Sequence, residues 1–282
     1  MLTVITPTYN RAYMIERTIN SMLIQSYSDW EYIIIDDGST DNTEEMIQTY
    51  LGDKRIRYIR KENTGAAHTR NVGVSYATGE FVTFLDSDDE ALPGWLEEVA
   101  RNIKDNTGIV CAGAIRVLED GTTSEEYPYP VNFYGEMASV KFTCGSLIFK
   151  RSAFLQIGGY DLEMPTGLQS ELGYRLLEYL NKANLKIVTI SQCLVKIYVH
   201  AGPRLRSDWQ TLHHDCTRFI AKTHDYFKQW DRKGLSNNYT VIAYYNYKMK
   251  KRKVSLLYMA KAIRYRPLRL SNYIRVVKYS FL

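Results

Sequence analysis

Short apolar runs recur along the first 120 positions, and each gives way abruptly to polar or acidic residues. Leu2–Thr6, Glu31–Ile35, Ile56–Ile59 and Phe81–Leu85 have strand length and strand composition. Between them the apolar positions change to helical spacing. Ile15, Thr18, Ile19, Met22 and Leu23 share one face of a helix from about Tyr13 to Gln25, and Met46, Ile47 and Tyr50 share one face of the next, which Thr40 or Asp41 is placed to cap. A third helix, holding His68, Arg70 and Asn71, follows the loop Lys61–Gly65 and closes at Gly79. Strand and helix alternate strictly, which predicts right-handed βαβ units around a parallel sheet.

The rest of the chain continues less regularly. Pro93–Asn106 reads as a helix, Ile109–Leu118 as a strand, and Glu119–Tyr134, rich in Gly, Pro, Tyr and acid, as a hairpin or mobile loop. Cys144–Phe149 is a further expected strand and Gly158–Asp161 a tight turn. A helix over Glu171–Asn181 carries Leu172, Leu176, Leu177 and Leu180 on its core side. Lys186–Ile190 and Leu194–Tyr198 read as short strands, and everything after Ser207 as helical. The division this predicts is a catalytic α/β domain over 1–205 and a helical region over 206–282.

Charge sharpens that division. The chain has a net charge of +5, yet Arg232–Leu282 holds 13 Lys or Arg and no acid, so the first 231 residues carry −8. An acidic body with a cationic tail points to an anionic surface as a partner. No apolar run reaches the length of a membrane span, and Leu2–Thr6 already reads as a strand, so a cytoplasmic chain without a secretory leader is expected. Cys111, Cys144, Cys193 and Cys216 are too scattered for a zinc site or a disulfide framework.

Candidate chemistry gathers where the strands end. Phe81–Leu85 runs into Asp86, Ser87, Asp88 and Asp89. In an open α/β sheet that carboxyl edge is where ligands bind, and clustered carboxylates there suit a divalent cation that also carries a substrate's phosphates. Pro7 and Tyr9 end the first strand, with the tyrosine ring available to a base, and Asp37 ends the second as an acceptor for a base N–H. Arg70, near a helix amino end, is suited to a diphosphate. Neither Gly-x-Gly-x-x-Gly nor Gly-x-x-x-x-Gly-Lys occurs, which weighs against dinucleotide and P-loop chemistry.

The runs Val4–Arg11, Ile35–Asp41, Asn63–Asn71 and Leu85–Asp89, with Gly158–Asp161 further on, together resemble the family 2 glycosyltransferases. The resemblance covers about the first 200 residues. It implies the GT-A fold, an inverting transfer from a nucleotide-sugar, most often a UDP-sugar, and a Mn²⁺ or Mg²⁺ ion. By position it implies that Pro7, Tyr9 and Asp37 hold the nucleoside, that Arg70 faces the diphosphate, that Asp86 faces the ribose or sugar with Ser87 also in the donor site, and that Asp88 meets the metal. His200, after the last short strand, is the other expected metal ligand.

One position departs from the family pattern. Aligned on Arg175, the usual catalytic carboxylate becomes Gln169, which cannot accept a proton usefully near neutral pH. Glu171 is then the expected base and Asp161 the next candidate. The departure keeps a second reading open, an inactive relative that binds a nucleotide-sugar as a scaffold of a glycan assembly. A nucleotidyltransferase on another α/β fold is a third, against which the order of the four motifs argues.

The acceptor expected for such an enzyme is a glycan or a lipid-linked precursor in cell-surface polysaccharide, lipopolysaccharide or glycoconjugate synthesis. In the tail, Leu270, Tyr273, Ile274, Val277 and Phe281 form one stripe with Arg269, Arg275 and Lys278 off it. That stripe suits either an anionic membrane interface or a packing face, against the catalytic body or a second subunit in a homodimer. Nucleic acid ranks last, since the tail has no recognition motif beyond its charge.

Overall fold

A computed structural model describes residues 1–199 and 208–280. The order begins with β1 (Leu2–Thr8), α1 (Ile15–Leu23), β2 (Trp30–Asp36), α2 (Thr43–Gln48), β3 (Ile56–Arg60), α3 (Ala66–Tyr76) and β4 (Phe81–Phe84). It continues through β5 (Glu90–Ala91), α4 (Trp95–Asn102), β6 (Thr107–Val117), β7 (Thr123–Glu126), β8 (Tyr129–Phe133), β9 (Glu136–Val140) and β10 (Leu147–Lys150). Then come α5 (Arg151–Gln156), α6 (Leu168–Lys182), β11 (Lys186–Tyr198), α7 (Trp209–Trp230), α8 (Arg232–Lys248), α9 (Arg252–Tyr265) and α10 (Leu270–Ser280).

The main sheet runs β3-β2-β1-β4-β10-β6-β11-β5, with β7 beside β6. The expected parallel pairing holds through β3, β2, β1 and β4 and between β6 and β11. The sheet is nonetheless mixed, because β10 enters antiparallel between β4 and β6. Burial explains the composition of β1 and β2: the central strands are covered on both faces, so Val4, Ile5, Ile33, Ile34 and Ile35 are all fully buried. Helix α1 lays Ile15, Ile19 and Met22 on the sheet, and α4 lays Trp95, Leu96 and Val99. Gly73 lets α3 come close, since a Cβ there would lie 2.5 Å from Ile5 Cγ2.

Several elements differ from their expected form. Lys186–Ile190 and Leu194–Tyr198 belong to one strand, β11, which keeps its pairing with β6 across two irregularities between Thr189 and Val195. The Glu119–Tyr134 stretch is ordered as β7, paired with β6, and as β8, which forms a separate two-stranded sheet with β9. Asp41 does not cap α2 from the N-cap position, which is Asn42; it accepts instead from the N–H of Thr43 at 3.1 Å.

Two compact units emerge. The first holds residues 1–131, 137–162 and the described residues from Arg175 to 199; the second holds 132–136, 163–174 and the described residues from 208 on. The second unit is therefore drawn from three stretches of chain and not from a tail alone. It is built on α7–α10, with Asp208 capping α7 through Thr211 N–H at 2.9 Å and Asp231 capping α8 through Gly234 N–H at 2.7 Å. Aromatic rings supply much of its core: Tyr174 lies 4.8 Å from Phe227, and Tyr247 stacks on Tyr279 at 4.4 Å. Among the described residues, no helix is long and apolar enough to cross a membrane.

Candidate active site

Parallel pairing brings the ends of β3, β2, β1 and β4 to one edge of the first unit. Thr8 is level with Asp36, Asp36 with Arg60, and Ile5 with Phe84. Backbone bonds carry the alignment past the strands, with Asp37 N–H reaching Thr8 O at 2.8 Å, Lys61 N–H reaching Asp36 O at 2.9 Å and Leu85 N–H reaching Ile5 O at 3.0 Å. Pro7, paired with Ile35 near the end of β1, therefore lies at the same edge where Tyr9, Asp37, Asp86, Ser87 and Asp88 leave the sheet.

The loop after β1 is stitched to the loop after β2. Asn10, at φ +52°, accepts from Thr40 N–H at 2.8 Å and donates its own N–H to Ser39 Oγ at 2.9 Å. Pro7 is half-buried, and the Tyr9 ring beside it is exposed. Asp36, next to the predicted Asp37, is fully buried and accepts from Tyr58 Oη at 2.6 Å and Ser39 N–H at 2.8 Å. Its work is to shape the turn.

Asp37 is only 5% exposed, and its carboxylate is gripped by the loop after β3. It accepts from the Lys61 ammonium, from Thr64 N–H at 2.9 Å and from Gly65 N–H at 2.8 Å. Burial alone would raise its pKa, but Lys61 and the loop donors outweigh that and hold the carboxyl below its usual range. Lys61 also reaches Thr64 Oγ1, which in turn meets His68 Nδ1 at 2.8 Å. Sequence reasoning gave Lys61 no role. Its position one residue past β3, on the same edge, was the available signal.

Arg70 and Asp86, predicted for diphosphate and for ribose or sugar, are joined to each other by a bond of 2.6 Å. Burial works against the Arg70 charge, but Asp86 and its surroundings more than restore it, so the guanidinium stays charged. Among the described residues its buried Nε has no hydrogen-bond partner. Tyr160 and Phe84 flank it, with ring centroids 5.8 and 5.9 Å from the guanidinium carbon. Asn71 secures Tyr160 by a two-way clamp, donating to Tyr160 O at 3.1 Å and accepting from Tyr160 N–H at 2.8 Å. Arg175 fastens the same turn by donating to Ile157 O at 2.7 Å and Gly159 O at 2.6 Å. The half-buried Asp161 follows directly.

Ser87 is buried and Asp88 half-buried on the turn between β4 and β5. That turn is held from below. Arg17 donates to Asp88 O, Thr18 Oγ1 to Asp89 O at 2.8 Å, and Tyr198 N–H to Asp89 Oδ1 at 3.0 Å, while the Arg17 guanidinium lies 3.6 Å over the Tyr198 ring. Burial, with the neighbouring Asp86 and Asp88 charges, pushes the Asp89 carboxyl well above its usual range. Three carboxylates thus feel one another at this edge. Among the described residues, no group of three His, Cys, Asp or Glu is arranged to hold an ion unaided. Magnesium-type sites commonly use one or two carboxylates and complete the shell with substrate phosphates and water, so a single carboxylate of this turn, such as Asp88, would be enough to anchor one. His200 lies outside the described residues.

Glu171 belongs to the second unit, on α6. It is 0% exposed and accepts from the Lys222 ammonium at 2.9 Å. Gln169, one half-turn earlier, is half-buried. The burial of Glu171 and its pairing with Lys222 are features that an acceptor-facing base would have to overcome.

The description "Glycosyl transferase family 2" matches residues 3–156, more than half of the chain. Over 129 residues the chain is 36% identical to the GalNAc(5)-diNAcBac-PP-undecaprenol beta-1,3-glucosyltransferase of Campylobacter jejuni, covering 45% of this chain and 41% of that protein. It is 38% identical over 108 residues to the UDP-Glc:alpha-D-GlcNAc-diphosphoundecaprenol beta-1,3-glucosyltransferase WfgD of Escherichia coli, covering 38% and 42%. The chain spans less than half the length of either relative. The structure of S. aureus TarS 1-349 in complex with UDP-GlcNAc superposes with a TM-score of 0.66 at 17% identity, covering 94% of this chain and 81% of that one. At that identity the likeness shows a shared fold.

Proposed function

Because the chain belongs to glycosyl transferase family 2, we propose that it moves a sugar, with inversion, from a UDP-sugar to a hydroxyl of a lipid-linked glycan on the cytoplasmic side of a membrane. The observation that carries this reading is the convergence of Tyr9, Asp37 with Lys61, and the Arg70–Asp86 pair on one sheet edge of the first unit. The names of two relatives, each an undecaprenol-linked glucosyltransferase, support the acceptor class and make glucose the first donor to try.

The exposed Tyr9 ring would cover the base, and Asp37, its plane set by Lys61, Thr64 and Gly65, would offer its remaining acceptor direction to a base N–H. Arg70 would turn part of its charge from Asp86 to the diphosphate, leaving Asp86 to the ribose or sugar and Ser87 to the floor of the turn. Asp88 would hold Mn²⁺ or Mg²⁺, whose chemistry is to stabilise charge on the departing diphosphate. Transfer needs one base to take the acceptor proton and no covalent intermediate. Asp161 is the candidate we favour, since it follows the turn clamped beside Arg70, whereas Glu171 is enclosed with Lys222.

A screen of UDP-glucose, UDP-galactose, UDP-N-acetylglucosamine and UDP for thermal stabilisation, with and without Mn²⁺, tests donor binding directly. Asp88→Ala should remove the metal-dependent part of the stabilisation. Equal shifts for wild type and variant, unaffected by EDTA, would refute the metal role of Asp88, and no shift with any of the four nucleotides would refute the donor assignment. Donor binding with no turnover on any lipid-linked acceptor would favour the scaffold reading, which Gln169 and the enclosed Glu171 support.

A further inference from the structure

Helix α10 is amphipathic in the wrong sense for a packing helix. The face it turns inward presents Asn272 and Tyr279, both buried, with Val276 partly buried beside them. Tyr279 stacks on Tyr247, and Thr240 Oγ1 reaches Asn272 Oδ1 at 3.5 Å. The opposite face, an arc of about 100°, carries Leu270, Tyr273, Ile274 and Val277. All four are exposed, Leu270 at 78%, Ile274 at 68%, Val277 at 57% and Tyr273 at 44%, and Leu268 in the preceding turn reaches 93%. Phe281, which the same spacing places on the stripe, lies outside the described residues.

Basic side chains border this face. By helical spacing Arg275 and Lys278 flank one side, Arg269 sits just before the helix with its guanidinium donating to Ser271 Oγ at 3.0 Å and to Asn237 Oδ1, and no acid occurs anywhere from Arg232 onward. An apolar stripe whose charged neighbours on the helix are all cations matches a surface that is apolar within and anionic at its boundary, which is an acidic phospholipid bilayer. A second copy meeting this face across a two-fold axis would set the same cations against themselves. We propose that α10 lies in the interface of an anionic membrane, with Leu270, Ile274 and Val277 inserted among the acyl chains and Arg269, Arg275 and Lys278 at the headgroups. Tyr273 sits at the edge of the stripe, where an aromatic body with a polar tip suits the headgroup boundary. The proposal does not rest on the transferase reading, because no donor or acceptor is needed for binding.

Flotation of the intact protein with vesicles of phosphatidylglycerol in phosphatidylcholine, and with pure phosphatidylcholine, tests it. The protein should float with the acidic vesicles at low salt and stay down with the neutral ones. Raising salt should release it, as the Debye length falls from about 10 Å at 0.1 M to about 3 Å at 1 M. The triple change Leu270→Ser, Ile274→Ser and Val277→Ser, and separately the pair Arg275→Glu and Lys278→Glu, should each weaken binding at least about tenfold with the circular dichroism unchanged. Leu270, Ile274, Val277 and Lys278 are exposed, so folding is not at stake in the triple variant. Wild type that stays at the bottom with acidic vesicles at low salt overturns the proposal, and so does a triple variant that floats like wild type. Light scattering that shows a dimer, made monomeric by the triple change, would reassign the stripe to a second copy.

Discussion

Replacing Gly159 with alanine should destabilise the protein far more than the same change at Gly158, although the two glycines are adjacent and both left-handed, at φ +68° and +79°. For either, a side chain in the left-handed region costs roughly 1–2 kcal/mol. At Gly158 nothing lies within 4 Å of an added Cβ, so the cost stops there. At Gly159 the Cβ would fall 2.6 Å from Asn71 Oδ1 and 3.0 Å from Phe154 Cε1. The Asn71 amide would have to withdraw, breaking both bonds of its clamp on Tyr160. Leaving those partly buried polar groups poorly paired adds about 1–3 kcal/mol, for a total of roughly 2–5 kcal/mol. Urea denaturation of both variants, followed by tryptophan fluorescence, measures the difference between them and cancels the shared backbone cost. Because Tyr160 packs 5.4 Å from Phe84 and flanks Arg70, Gly159→Ala should also weaken UDP-dependent thermal stabilisation, while Gly158→Ala should not. Two variants within about 0.5 kcal/mol of each other would show that the clamp contributes nothing, and the reasoning would fail.

Further outcomes follow from the same contacts. Lys61→Met leaves Asp37 buried without its ammonium, so donor affinity should fall by about tenfold or more in a UDP titration, with Lys61→Arg recovering part of it. Asp161→Asn should lower turnover by about 10²-fold at unchanged UDP binding if Asp161 is the base, whereas Glu171→Gln should act mainly on the melting temperature. Glu126, placed between Arg116 and Lys141, has its pKa lowered from 4.5 to about 2, chiefly by Arg116. Its stabilisation is whole above about pH 4.5 and is lost as pH falls toward 2, so Glu126→Gln should cost about 2 kcal/mol at pH 7 after screening and nothing near pH 2 in acid-unfolding curves.

The sequence by itself determined which polar residues gather at one edge of the sheet. Apolar runs that stop at Thr6, Ile35, Ile59 and Leu85, separated by helical periodicity, dictate parallel strands whose polar ends emerge together, because run length and termination are local properties of the chain. Tertiary structure alone decided what those ends touch. Asp37 meets Lys61, Arg70 meets Asp86, and Glu171 meets Lys222, separated by 24, 16 and 51 residues, and no spacing rule selects one cation among many at such distances. The antiparallel β10 was equally illegible, since a buried apolar strand looks the same in either direction. Periodicity also predicted the stripe on α10 but could not say which way it points. Packing answered that, when the Tyr247–Tyr279 stack and buried Asn272 took the inner face and left Leu270, Ile274 and Val277 outside.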